Sequence, residues 1–263
     1  MQTRSEPVNK ICYQQLINYK FRANWVDRSW PAEDRDTPLA AYGIDQAKQL
    51  AEYVKLYQPS SIYSSPFQRC LQTAQPTSEA LQLPIKVEPG EWFHENPPNK
   101  LPTLHPQPYH SNLRAKFSDI DASYHPVFFP NRHGESLDDL HERCKIAITN
   151  LIRREEIRGV SGAIVIFTHA ASAIALGRGL LSDRTREIRA GCASCSELFD
   201  VHLQYARDGN DWKLAQNGYS GHLAQGEERH WDFSLSSREY EDGEAGTENA
   251  DQGVWGLMPE ARL

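Results

Sequence analysis

The sequence predicts an α/β protein built as a three-layer α/β/α sandwich around a mostly parallel sheet. Three observations predict it. Short apolar segments alternate with amphipathic helical stretches along most of the chain. Residues 163–167, Ala-Ile-Val-Ile-Phe, form a continuous apolar run, the pattern of a strand buried on both faces. Polar groups also recur where a short strand gives way to a helix. Arg22 with Asn24, Arg69 and His169 all stand at such junctions, the edge where open α/β sheets bind ligands.

The 263 residues suffice for one large packed core. Residues 1–237 read as one domain. Residues 238–263 carry Glu239, Glu241, Asp242, Glu244, Glu248 and Asp251 among glycines and are expected to be disordered. A net charge of −7 provides no footprint for direct nucleic-acid binding or for an anionic membrane. No apolar run approaches bilayer-spanning length, and the N-terminus lacks the apolar core of a secretory signal. Five cysteines, an odd number, suit reduced thiols and an intracellular location, cytoplasmic or nuclear. Cys192 and Cys195 form a C-x-x-C with no second pair, so no metal and no cofactor is predicted.

Taken in order, residues 10–18 predict a first strand, a poor one because Gln14 and Gln15 interrupt it. A polar, Pro-containing loop reaches Leu39. Ala47, Leu50, Ala51 and Val54 predict one buried face of a helix over 44–57. Ile62–Ser64 reads as a short strand. The next helix opens at Ser64-Ser65-Pro66-Phe67 with a serine cap and an early proline, and Pro76 is expected to kink or restart it. Ile85–Val87 is a further strand. Residues 94–135 hold seven prolines and read as an insertion or lid with little regular structure. Ser136 and Asp139 make a capping-box variant at the start of a helix whose buried stripe is Leu137, Leu140, Cys144, Ala147, Ile148 and Leu151. After the strand ending at His169, Ile174, Leu176, Leu180 and Leu181 continue at helical spacing. Residues 196–202 and 212–217 predict two strands joined at Asp208-Gly209-Asn210. His202 and His222 read as exposed. Arg178, Arg184, Arg186 and Arg189 read as a solvated face.

Strand ends converging on one edge would gather two guanidiniums, the His169 imidazole and the Glu91 carboxylate. Planar guanidinium forks suit phosphate oxygens. The segments Ser64-Ser65-Pro66-Phe67-Gln68-Arg69-Cys70-Leu71-Gln72-Thr73-Ala74, Glu88-Pro89-Gly90-Glu91-Trp92, Gly134-Glu135-Ser136 and Phe167-Thr168-His169-Ala170-Ala171 resemble the histidine phosphatase superfamily. This is the phosphoglycerate-mutase-like fold, and the match covers roughly residues 20–235. Within it the chain looks most like a fungal branch that includes a phosphatase-like subunit of an RNA polymerase III transcription factor complex. The resemblance implies hydrolysis of a phosphomonoester through a phosphohistidine, with arginine clamps, a second histidine and a carboxyl acid. Carried over, Arg69 is a clamp, His169 the second histidine and Glu91 the acid, with Glu88 as its alternative. Arg22 and Asn24 would also hold the phosphate.

The N-terminal motif departs from that pattern. The register set by Phe21-Arg22-Ala23-Asn24-Trp25 puts Tyr19 at the nucleophile, Asn18 at the first arginine and Lys20 at the glycine. A phenol is mostly protonated at neutral pH and substitutes poorly for imidazole. Arg132-His133-Gly134-Glu135-Ser136 spells the nucleophile motif elsewhere, but no strand precedes it and a helix follows, so His133 is read as a decoy. Three expectations stand together. One is a phosphatase whose nucleophile is replaced, so that it is inactive as written. Another is a non-catalytic phosphate-binding or scaffold subunit. The third is a misplaced splice boundary just before Phe21, which would put foreign residues in place of the family's own first strand and R-H-G and whose correction would restore the phosphatase. The implied partners are a phosphorylated small molecule or phosphoprotein and the proteins of a complex.

Overall fold

The structure, a computed structural model, describes residues 8–16, 36, 38–89, 111–129, 136–200, 212–228 and 230–233. The predicted tail at 238–263, the stretch holding Tyr19, Arg22 and Asn24, and the predicted acid Glu91 lie outside these residues. So do Arg132 and His133.

Among the described residues, six strands form one sheet: β1 (Val8–Leu16), β2 (Ser61–Ser64), β3 (Ile85–Val87), β4 (Gly162–His169), β5 (Cys195–Asp200) and β6 (Trp212–Tyr219), in the order β3-β2-β4-β1-β5-β6. The pairings β2–β3, β2–β4 and β1–β4 are parallel, whereas β5 runs antiparallel to both β1 and β6. The predicted sandwich with a mostly parallel sheet is therefore the observed one. Side chains alternate across a strand, and β4 shows the consequence. Ile164 and Ile166 join the core under α4 (Leu137–Ile157) and α5 (Ala170–Leu181). Val165 and Phe167 join the core under α1 (Ala41–Val54) and α2 (Gln68–Leu81). Two helix layers thus enclose the sheet. Cys192 packs into the first core and Cys195 into the second, so the C-x-x-C side chains lie in different clusters.

Several local expectations change. The first strand spans 8–16, not 10–18, and despite its glutamines it lies between β4 and β5 in the sheet. Backbone pairing along β4 overrides its weak apolar pattern. Helix α1 begins three residues earlier than predicted and ends in a 3₁₀ turn at Lys55–Tyr57. No serine caps α2: Phe67 occupies the cap, and the Gln68 amide donates to the Asp36 carboxylate at 2.7 Å. Pro76 does not restart the helix, which runs on to Leu81 with Thr73, Ala74 and Thr77 buried on either side of it.

Within the insertion, residues 111–129 hold more regular structure than expected. They form α3 (Ser111–Lys116), and Ile85 of β3 exchanges backbone bonds with Asp119 and Asp121. Phe117 is buried in the core beside β3. The capping box of α4 is present as predicted, with Ser136 and Asp139 bonding reciprocally. Leu137, however, is exposed rather than part of the buried stripe. His222 lies beyond β6, partly buried, stacked on Tyr53 and bonded to the Ala193 carbonyl. Arg178 is partly buried, bonding the Arg186 carbonyl, and Arg184 and Arg189 are held in ion pairs with Asp138 and Glu227.

Candidate active site

Parallel strands deliver their carboxyl ends to one edge of the sheet, and the hydrogen-bond ladder continues just past them. The Ser65 amide donates to the Phe167 carbonyl at 2.9 Å, and the Glu88 amide to the Ser64 carbonyl at 2.8 Å. Ser65, Glu88 and His169 therefore meet where β2, β3 and β4 end. Leu16, the last residue of β1, is paired with His169, so β1 ends at the same edge.

His169 is fully buried and caps α5 with backbone only. Alternation along β4 turns its ring to the face that carries α2. The first turn of that helix and the residues just before it supply its neighbours. A terminal guanidinium nitrogen of Arg69 lies 3.3 Å from Nδ1, and the Ser65 hydroxyl lies 3.0 Å from Nε2. The Cys70 sulfur lies 3.5 Å from Nε2 and 4.0 Å from Nδ1. Phe67 presents an edge-to-face contact to the imidazole at 5.1 Å and takes the Arg69 guanidinium over its ring at 4.3 Å. Such a ring holds a buried cation in place without neutralising it.

Burial pushes the Arg69 guanidinium below its ordinary value, while Cys70 and Asp36 pull it back up. An arginine keeps its proton even so. The amino ends of α2 and α5 point to the same edge and add partial positive charge. A buried guanidinium, an imidazole and two helix amino ends are the equipment for an oxyanion.

Glu88 is also fully buried. Its carboxylate accepts from the Tyr124 hydroxyl at 2.7 Å, the Val127 amide at 2.8 Å and the Phe128 amide at 3.2 Å. Burial and this carboxylate push the Tyr124 phenol far up, so it remains a donor. Lys116 reaches the Gln68 side chain at 2.9 Å. The insertion is thus tied down beside the site at two points. Among the described residues, no group of His, Cys, Asp and Glu is arranged to hold a metal ion.

Of the predicted site residues, Arg69 and His169 are brought into contact and Glu88 to the same edge. Tyr19, Arg22, Asn24 and Glu91 lie outside the described residues. Sequence reasoning missed Ser65, Phe67 and Cys70 as neighbours of the imidazole. The signal for Ser65 was its place between a strand end and Pro66, but it was read as a helix cap.

A family model for the histidine phosphatase superfamily (branch 1) matches residues 23–217. The transcription factor tau 55 kDa subunit of Saccharomyces cerevisiae is 32% identical over 255 residues, covering 83% of this chain and 58% of the yeast protein. The human ubiquitin-associated and SH3 domain-containing protein A is 29% identical over 197 residues, or 71% of this chain and 29% of that protein. The chain therefore spans a little over half of the first relative's length and under a third of the second's. A crystal structure of ecdysone phosphate phosphatase from Bombyx mori, in complex with tungstate, shares the fold. Its TM-score is 0.55 at 18% identity, over 80% of this chain and 92% of that one.

Proposed function

The chain belongs to the histidine phosphatase superfamily (branch 1), and from that membership we propose that its sheet edge binds the phosphoryl group of a phosphomonoester without turning it over. The observation that carries this reading is the buried contact between Arg69 and the His169 imidazole. Both match positions that hold phosphate oxygens in the family. Arg22 and Asn24 complete the cradle in this proposal, and Glu91 is the acid, with Glu88 as its alternative. Tyr19 stands where the family's nucleophilic histidine would be. Its phenol keeps its proton at neutral pH and cannot readily accept a phosphoryl group.

A second reading concerns what the phosphate pocket serves. Similarity to a yeast transcription factor subunit favours an assembly role, in which this domain contributes a surface to an intracellular protein complex. The two readings are compatible, since a phosphorylated protein can be the ligand as well as the partner.

The test of binding without turnover pairs two measurements. Tungstate and phosphate are titrated against the thermal stability of the protein, and hydrolysis of p-nitrophenyl phosphate is followed alongside. Oxyanions should raise the melting temperature while hydrolysis stays at background. Turnover at a rate typical of enzymes, roughly 1–1,000 per second, would overturn the assignment of Tyr19.

A further inference from the structure

Serine and histidine side chains in contact at a sheet edge suggest a nucleophile and its base. The hydrogen bonding at His169 runs the other way. A guanidinium has only hydrogens to offer, so the nitrogen facing Arg69 at 3.3 Å, Nδ1, must be the acceptor. The ring hydrogen of the neutral imidazole then sits on Nε2. That hydrogen points at the Ser65 hydroxyl, 3.0 Å away, with the Cys70 sulfur at 3.5 Å on the same side. In a nucleophile–base pair a carboxylate holds Nδ1–H and leaves Nε2 free to take the serine proton. Here a cation stands in the carboxylate's place, and the tautomer is inverted.

We propose that Ser65 is a positioning residue: its oxygen accepts from Nε2–H of His169 and thereby fixes both the tautomer and the ring orientation of that histidine. This deepens the phosphoryl-binding reading and rests on it for its meaning, but not for its test. Ser65 is well placed for the task. Its amide is tied to the Phe167 carbonyl, two residues before His169, and its side chain is fully buried. Pro66 follows directly and restricts the Ser65 backbone to extended conformations. The hydroxyl is thus carried on a fixed backbone, aimed at one nitrogen. With Nε2–H held by Ser65, Nδ1 stays on the side of the Arg69 guanidinium, and an oxyanion gripped by that guanidinium is met there once Nδ1 takes up a proton and donates to it. Ser65 and Cys70 are accordingly acceptors, not nucleophiles.

The experiment is nitrogen NMR of the histidine side chains in uniformly ¹⁵N-labelled protein, with the His169 signals identified by their loss in His169→Gln. The intact protein should show Nε2 protonated and Nδ1 unprotonated. In Ser65→Ala the two shifts should move toward the average of both tautomers, and tungstate affinity should fall roughly tenfold, the worth of one hydrogen bond. Ser65→Thr, which keeps the oxygen, should restore both readouts. If Ser65→Ala fails to fold, the intact protein and Ser65→Thr still decide. A protonated Nδ1 in either would overturn the proposal, as would an unchanged imidazole pattern in a folded Ser65→Ala. Failure of the intact protein to bind tungstate would instead sink the phosphoryl-binding reading and leave the imidazole result standing.

Discussion

The guanidinium of Arg69 and Nδ1 of His169 lie 3.3 Å apart across one hundred residues of sequence, buried where α2 begins and β4 ends. Two parallel strands, β2 and β4, produce that meeting by ending side by side. Phe67 is packed against both groups and keeps them there.

Arg69→Ala should therefore remove oxyanion binding while leaving the fold in place. Two charge-assisted hydrogen bonds at about 1.5 kcal/mol each amount to roughly a hundredfold in affinity. Arg69→Lys should recover little of it, because a point charge cannot reproduce the planar fork. Calorimetric titration of tungstate into the three proteins checks this.

Glu88 makes a different prediction from Glu91. The Glu88 carboxylate holds Tyr124 and the amides of Val127 and Phe128. Glu88→Gln keeps one acceptor oxygen but puts an amide donor against these donors. It should cost about 1–3 kcal/mol. The Val127 and Phe128 amides should then exchange with deuterium faster than in the intact protein. Glu91→Gln should leave that exchange unchanged, and equal effects at both positions would refute the tether.

At the amino end of β2, Lys86 and Glu155 form a buried ion pair, with the ammonium nitrogen 3.1 Å from both carboxylate oxygens. Burial raises the Glu155 pKa, but bonds from Ser61 and Tyr63, then Lys86, hold it below its ordinary value overall. Burial lowers Lys86, and Glu155 only partly restores it. The two directions pull apart, and the geometry favours the ionised pair. Lys86→Met should cost about 3–5 kcal/mol by leaving Glu155 uncompensated, and Lys86→Met with Glu155→Leu should recover most of it.

The pH dependence of that pair follows from the signs. With its folded value depressed, Glu155 contributes stability above the ordinary glutamate pKa of about 4.3. That contribution is lost as pH falls through the folded value below it. Lys86 acts only on the alkaline side, where stability rises with pH between its depressed value and about 10.4. Urea unfolding followed from about pH 7 to 3 should lose more stability in the intact protein than in the double variant. Equal slopes would contradict the pairing.

The parts of the fold set by long apolar patterns were legible in the sequence. The buried run of β4, the capping box of α4 and the strand at Ile85–Val87 all stand as read. What failed was decided by distant partners. Asp36 caps α2 from thirty-two residues away, so no local pattern could name it. β1 lies inside the sheet because β4 and β5 offer it backbone partners, which its glutamines could not announce. The segment around 117–121 bonds to β3 through Asp119 and Asp121, against the expectation of little regular structure across 94–135. At the site, Arg69 and His169 were recognisable from their place after strands. Ser65 was misread because a serine before a helix is usually a cap, and its true partner lies 104 residues away.

The claim that this is a phosphate site whose nucleophile motif at residues 18–20 is replaced is tested most directly by restoring that motif. The measurement is p-nitrophenyl phosphate hydrolysis by Asn18→Arg/Tyr19→His/Lys20→Gly, with and without His169→Ala. A histidine at position 19 needs an arginine beside it to hold the phosphate in line. It also needs a residue without Cβ at position 20, so that backbone amides can approach the oxygens. Turnover should appear in the triple variant, remain far lower in Tyr19→His alone, and vanish when His169 is removed. Turnover that survives His169→Ala, or hydrolysis by the unaltered protein at a comparable rate, would contradict the account.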